Sequence, residues 1–337
     1  MGQNRYFVLK GCAGLGNRLM TLSWAIHFCK QTNRILFVDW ADGQFSIKGD
    51  NVFYNYFKLV NVSHVKSIED CLDVVGSSCY PRIYQRNPLA SIYDMYDGPV
   101  VTNRFERIRY KCEMLKFGTF LKGYWIQKNI DKEPNRLKTT IKNLFPYRFQ
   151  KRIPIASDYS QNISDRSIFG ADFLPMGFEN NLKEHIDFTN SVREKLETEV
   201  KQLFGGNNVL GVHIRYTDLM PSVLLNKLHE YIARQSKNYQ IIFLSTDSNE
   251  IEVQFKQRYK TIKVFSKYLP KTKGIGLHQW GLYQEPMQAN LLFDESLRDL
   301  FALSRCDCLL FQSNSSFSRI ARLLSASSQT QIDWMAL

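Results

Sequence analysis

Several features that would settle a protein's class at sight are missing from this chain of 337 residues. No apolar run approaches the about 18 residues that a membrane-spanning helix needs. No internal repeat or low-complexity tract stands out. The cysteines Cys12, Cys29, Cys71, Cys79, Cys112, Cys306 and Cys308 are odd in number and follow no framework spacing, which argues against a disulfide scaffold. Cys306-x-Cys308 is not a zinc spacing, and no second Cys or His pair accompanies it. Both read as buried thiols, which points to a reducing compartment. There is no P-loop, no H-E-x-x-H and no G-x-S-x-G, and no D-x-D to clamp a metal against a diphosphate. The opening Met-Gly-Gln-Asn-Arg-Tyr runs directly into a strand pattern, so no secretion signal is expected. Tyr6, in place of Ser or Thr, leaves a myristoylation signal incomplete. Without a secretion signal, the sequons at Asn61, Asn162 and Asn314 carry no meaning. The expected location is cytoplasmic, with peripheral membrane contact left open.

What is present is a globular composition, 44% hydrophobic and 23% charged, in a length that suits two domains. Lys and Arg outnumber Asp and Glu by 44 to 32, a formal charge of +12 that favours an anionic partner. Charge alone leaves nucleic acid, membrane surface, anionic glycan and nucleoside diphosphate open, beside a basic surface kept for solubility. Arg104, Arg107, Arg109 and Lys111, with Phe105 and Tyr110 interleaved, read as a solvated face or as a groove for nucleic acid or glycan.

Residues 5–10 predict a strand, Gly11 to Gly16 a glycine-rich turn, 17–30 a helix with Leu19, Leu22, Ile26 and Cys29 on one face, and 34–40 a buried strand. Short connections make this a parallel βαβ unit. Residues 43–131 are irregular and aromatic, 149–165 read as a linker, and 181–204 as one helix ending at Gly205-Gly206. Strands at 209–214, 240–245, 261–266 and 308–311 then alternate with helices at 223–235, 249–259, 297–303 and 317–325. Asp247 and Glu250 form a capping box for the helix at 249. That alternation predicts a doubly wound parallel sheet, with ligands beyond the carboxyl ends of its strands.

Four segments follow such ends. Gly11 to Arg18 combines glycines that admit close backbone approach with a helix N-terminus that attracts anions. Its order is G-x-x-G-x-G, yet Asp39 ends the next strand where a ribose-binding acid would sit, which keeps a nicotinamide reading alive. His213 and Arg215 share a strand face, and Arg215 suits bidentate contact with a phosphate, or a plain surface pair with Asp218. Ser245-Thr-Asp247-Ser ends the next strand. Gln312 to Arg319 offers hydroxyls and fresh helix N–H groups as a second anion cradle, or is a solvated loop. Asp299 lies one helix earlier and could accept bonds from a guanine edge.

Together these segments resemble a known family. Gly14-Leu-Gly-Asn-Arg-Leu is similar to the opening loop of the nodulation fucosyltransferases. Gly211-Val-His-Ile-Arg-Tyr-Thr-Asp resembles the first motif of the core α1,6-fucosyltransferases, Leu244-Ser-Thr-Asp-Ser the second, and the stretch from Asp299 to Arg319 the third. Gly123-Tyr-Trp-Ile-Gln is similar to a short motif of the α1,2-fucosyltransferases. The resemblance covers about the first 40 residues and most of the expected second domain, and leaves the middle unmatched.

The resemblance implies a GT-B-like α/β fold, with two Rossmann-like domains facing each other across a cleft. The expected divisions are an acceptor-side domain at 1–150 with the loop 11–18, a linker and helix at 151–205, and a nucleotide-sugar domain at 206–337. It implies an inverting, metal-independent transfer of fucose from GDP-fucose to a hydroxyl of a glycan or lipid-linked sugar, with no nucleic-acid partner. His213 and Asp299 would recognise guanosine, Arg215 the β-phosphate, and Ser315 and Ser316 the diphosphate. Asn17 would sit near the transferred sugar, and Asp247 would serve the donor or acceptor pocket. Gly14, Gly16, Arg18 and Arg319 complete the expected donor site. Tyr216 stands where the core enzymes have a second Arg, and Leu219 where they have Lys, which puts the donor sugar in question. The general base has no counterpart after Leu219, so Asp218, Glu230 and Asp247 all remain candidates. A nicotinamide-dependent oxidoreductase, a transferase with another nucleotide sugar and a non-catalytic glycan-binding relative are the rival readings.

Overall fold

The computed structural model describes residues 4–72, 79–80, 83–86, 88–91, 166–170, 182–219, 221, 225–270, 276–278 and 286–337. Cys112, the basic run from Arg104 to Lys111, the motif starting at Gly123 and the expected linker at 149–165 lie outside the described residues. Two compact units are formed. Met1–Cys12, Thr21–Asp42 and Asn61–Phe178 make the first; Ala13–Met20, Gly43–Val60 and Glu179–Leu337 make the second.

In chain order the strands are β1 (Tyr6–Lys10), β2 (Ile35–Asp39), β3 (Phe57–Leu59), β4 (Cys79–Tyr80), β5 (Ser167–Gly170), β6 (Ile186–Phe188), β7 (Val209–Ile214), β8 (Ile241–Thr246), β9 (Ile262–Lys263), β10 (Cys308–Phe311) and β11 (Thr330–Asp333). The longer helices are α1 (Leu15–Thr32), α2 (Asn190–Phe204), α3 (Leu225–Gln235), α4 (Asn249–Arg258), α5 (Ala289–Ser304) and α6 (Ser316–Leu324). None of the described helices is long and apolar enough to cross a membrane.

The first unit holds a parallel sheet in the order β2-β1-β5-β4. Its strand β1 is apolar apart from Lys10 and wholly buried, as a central parallel strand must be. Helix α1 is buried on more than the face its spacing marks, because Trp24 and Phe28 stack at 5.1 Å and Phe7 meets both edge-on.

The second unit holds a parallel sheet in the order β11-β10-β7-β8-β9. From β7 the chain winds outward through β8 and β9, then returns to place β10 on the other side of β7. The order therefore reverses at β7, the place where doubly wound sheets open a ligand crevice. Leu210, Val212, Ile214, Ile242, Leu244 and Leu310 form the sheet's core against Leu228, Ile232, Ile251, Phe255 and Trp334. Each such side chain contributes about 1.5–3 kcal/mol when fully buried.

Four local expectations need correction. The helix expected over 181–204 is interrupted, because Ile186-Asp187-Phe188 alternates apolar and polar and pairs antiparallel with β3 (Phe57↔Phe188). Helix α2 starts only after Thr189 and stops at Gly205, whose φ of +59° is the left-handed conformation glycine adopts without strain. The cap of α4 is Ser248, whose Oγ accepts the Ile251 N–H at 3.4 Å; Asp247 is drawn elsewhere. Strand β9 is shorter than 261–266, and α5 begins at Ala289 rather than Leu297. The edge strand β11 was not expected, since Thr-Gln-Ile-Asp carries a single apolar side chain.

Candidate functional site

The site grows from the carboxyl end of β7, in the second unit. Val212 and Ile214 point into the core, so His213 takes the opposite face, in register with Ser245 of β8. Past the strand the chain turns, and the Asp247 carboxylate holds that turn. It accepts the Tyr216 N–H at 2.7 Å, the Thr217 N–H at 3.3 Å and the Thr217 hydroxyl at 2.6 Å. Burial pushes the Asp247 carboxyl up, against the pull of those hydrogen bonds. The Arg215 N–H donates to Gln312 Oε1 at 2.8 Å, which ties β7 to the end of β10.

Arg215 grips Asp218 with two parallel bonds, Nε to Oδ1 at 2.7 Å and Nη2 to Oδ2 at 2.5 Å. Burial alone would lift the Asp218 carboxyl, but the Arg215 guanidinium holds it below the usual carboxylate range. Both side chains are only about a fifth exposed, 19% and 20%. Arg215 thus pairs with Asp218 and also lines the pocket described below.

Gly14, Gly16, His213, Arg215, Asp247, Asp299 and Ser316 line one pocket. Gly16 has to be glycine there: a Cβ would fall 2.5 Å from the Phe317 backbone nitrogen and 2.8 Å from Ser316 Oγ. The glycine loop is thus pressed against the start of α6. Arg18 braces the loop instead of reaching into the pocket. Its buried guanidinium donates to the Ala13 carbonyl at 2.8 Å and to Gln44 Oε1 at 2.5 Å, and lies 4.3 Å from the Phe45 ring centroid. Asn17, Arg18, Asp218, Ser315 and Arg319 are not among the residues lining the pocket. Glu230 is exposed on α3 and is absent from that lining too.

Asp299 is buried on α5. Its Oδ2 accepts Lys267 Nζ at 2.5 Å and the Ser245 hydroxyl at 2.9 Å, while Oδ1 has no hydrogen-bond partner. Ser315, the N-cap of α6, is fully buried, makes no side-chain cap bond, and leaves its Oγ without a partner. Buried polar atoms are ordinarily satisfied, and of these two orphans Asp299 Oδ1 belongs to a residue that lines the pocket. His213 is neutral: burial, helped by Arg215 and Lys267, pushes its pKa down to about 3. Among the described residues no cluster of His, Cys, Asp and Glu has the makings of a metal site.

Lys267, His278 and Glu295 also line the pocket and escaped the sequence reading. Lys267 sits in irregular chain and His278 in a helical turn with Leu277, and neither belongs to a motif. Burial and the nearby Arg215 push His278 down to about 3, with Asp218 acting the other way. Glu295 was within reach of sequence logic, since it stands one helical turn before Asp299 on the same face. Burial raises its carboxyl, which accepts the Tyr268 N–H at 2.9 and 3.0 Å. Lys267 is paired with Asp299 and Arg215 with Asp218, so the positive charge expected in the site is balanced by carboxylates.

No protein-family model matches the sequence, and no curated protein does. Solved structures do. Fucosyltransferase NodZ from Bradyrhizobium superposes with a TM-score of 0.56 at 19% identity, over 96% of this chain and 94% of that one. A NodZ α-1,6-fucosyltransferase co-crystallised with GDP gives 0.55 at 19% identity, over 96% and 93%. Another, soaked with GDP-fucose, gives 0.56 at 19% identity, over the same shares of the two chains. The chain has the fold of these fucosyltransferases, an α/β fold of the GT-B type.

Proposed function

We propose that this chain is an inverting glycosyltransferase that moves fucose from GDP-fucose to a hydroxyl of a glycan or lipid-linked sugar. The observation that carries the reading is the convergence of His213, Arg215, Asp299 and the start of α6 on one pocket at the point where the strand order reverses. The orphan atom Asp299 Oδ1, on a residue that lines the pocket, supports it as an acceptor for guanine N–H groups. In this reading the acceptor hydroxyl attacks the anomeric carbon and gives its proton to a pocket carboxylate. GDP leaves against Arg215 and the N–H groups of α6. Asp247 holds the loop that aims Arg215. NodZ, whose fold the chain shares, was crystallised with GDP and GDP-fucose. Donor binding needs no metal in this account.

Tyr216 favours a second reading, the same reaction with another nucleotide sugar. Its side chain packs on the core and supplies no second guanidinium to the phosphates. Nucleotide release from GDP-, UDP- and dTDP-sugars, with and without EDTA, tests both. Release from GDP-fucose that survives EDTA supports fucosyl transfer. Release confined to another donor selects the second reading. No release from any of them, with GDP still bound, would make the chain a non-catalytic relative.

A further inference from the structure

The first turn of α6 carries a hydroxyl that the proposed reaction does not use. Ser318 is fully buried, and its Oγ lies 2.5 Å from His213 Nδ1. The same Oγ accepts the Gln312 backbone N–H at 3.1 Å. A backbone amide can only donate, so the hydroxyl proton still has to be placed. Among the described residues, His213 Nδ1 is the acceptor in contact with it. When Nδ1 accepts, a neutral imidazole carries its proton on Nε2. The other tautomer would aim Nδ1–H at Ser318 and strand a buried hydroxyl proton without an acceptor. The ring itself cannot drift. It stacks on Phe317 at 5.1 Å and 27°, and the His213 carbonyl accepts Trp334 Nε1–H at 3.0 Å. Burial beside Arg215 and Lys267 keeps it uncharged. Nε2 makes no bond to the described residues, and the ring lines the pocket.

We propose that Ser318 is a positioning residue that fixes His213 as the Nε2–H tautomer, so that the pocket presents a neutral donor and selects a hydrogen-bond acceptor on its ligand. The ligand's identity rests on the nucleotide reading above: for a guanosine diphosphate, the acceptor is an oxygen or an unprotonated ring nitrogen.

The full chain labelled with 15N-histidine provides the test. Long-range 1H–15N correlation at pH 7 gives the tautomer, with His213 assigned by its loss in His213→Gln, and calorimetry gives the affinity for GDP. Wild type and Ser318→Thr should show the Nε2–H pattern. Ser318→Ala should show exchanging tautomers and bind GDP about 10-fold more weakly, as expected for one lost hydrogen bond. An Nδ1–H or imidazolium pattern in the wild type overturns the proposal, whether or not the alanine variant folds. An alanine variant that keeps the wild-type pattern also overturns it, even if its affinity falls, because the serine would then serve packing alone. If wild type does not bind GDP, the nucleotide reading fails, and the nitrogen pattern alone decides the role of Ser318.

Discussion

At the carboxyl edge of the first unit's sheet, Lys10 and Asp39 form a buried ion pair at 2.6 Å, and Lys10 also donates to the Pro88 carbonyl at 2.6 Å. Asp39 Oδ1 accepts the Ala41 N–H as well. At the corresponding edge of the second unit's sheet, ion pairs are present too, yet Asp299 Oδ1 and Ser315 Oγ are left over. One edge has its charges committed to each other; the other keeps bonding capacity in reserve. The comparison bears on the nicotinamide reading, which needed Asp39 for a ribose. That carboxylate is held by Lys10, which counts against a ribose-binding role for it. It also shows why charge counts mislead: a cation at a sheet edge serves a ligand only to the extent that its own carboxylate can release it.

The largest expected effect lies on the structural side. Lys10→Met leaves Asp39 buried without its cation and should cost about 3–5 kcal/mol of stability. Chemical denaturation would measure this, while GDP affinity of the folded variant stays within about 2-fold. A large loss of GDP affinity would mean that the two edges are not separate in function. Next, Arg215→Ala should lower transferase turnover on the order of 100-fold or more. Near-normal turnover would return Arg215 to a plain partner of Asp218. Gly16→Ala must push a methyl into the backbone of α6 and should destabilise by about 1–3 kcal/mol, with GDP binding lost in proportion. An unchanged melting temperature would refute that tight contact.

The smallest effect, taken over a single pH unit, is a slope in stability. His213 is neutral in the folded state, with its pKa near 3 against an ordinary value of 6.5. Between those values the unfolded chain binds the extra proton, so stability falls as the pH drops below about 6.5, by up to about 1.4 kcal/mol per unit. Above that pH the residue contributes no slope. His213→Gln should flatten the acid limb of a stability-pH curve, and an unaltered limb would show that the imidazole is not held neutral.

The parallel strands and the helices between them were legible because long apolar runs and glycine breaks carry the signal: β7 and β10 fall where the pattern predicts. What stayed hidden depends on tertiary competition. Asp247 carries the sequence mark of a cap, yet Tyr216 and Thr217 offer it more hydrogen bonds than the helix start does, and Ser248 takes the cap. The strand at Ile186 is too short for periodicity to separate from the helices that flank it, and only its pairing with β3 reveals it. In the pocket, His213, Arg215 and Ser316 could be found because motifs at strand ends announce them, and Asp299 because it opens the stretch that resembles the family's third motif. Lys267 and His278 could not, since no motif marks them and only folding brings their segments to the pocket. Arg18 stood in the right motif, but its guanidinium is engaged by the Ala13 carbonyl, Gln44 and the Phe45 ring.

The packing of Gly16 on Phe317 joins segments from near opposite ends of the chain. Contacts between such distant residues form late, because the intervening polypeptide must first be ordered. The pocket that Gly14 and Gly16 share with Ser316 and Phe317 is therefore complete only once these two remote stretches of chain have met.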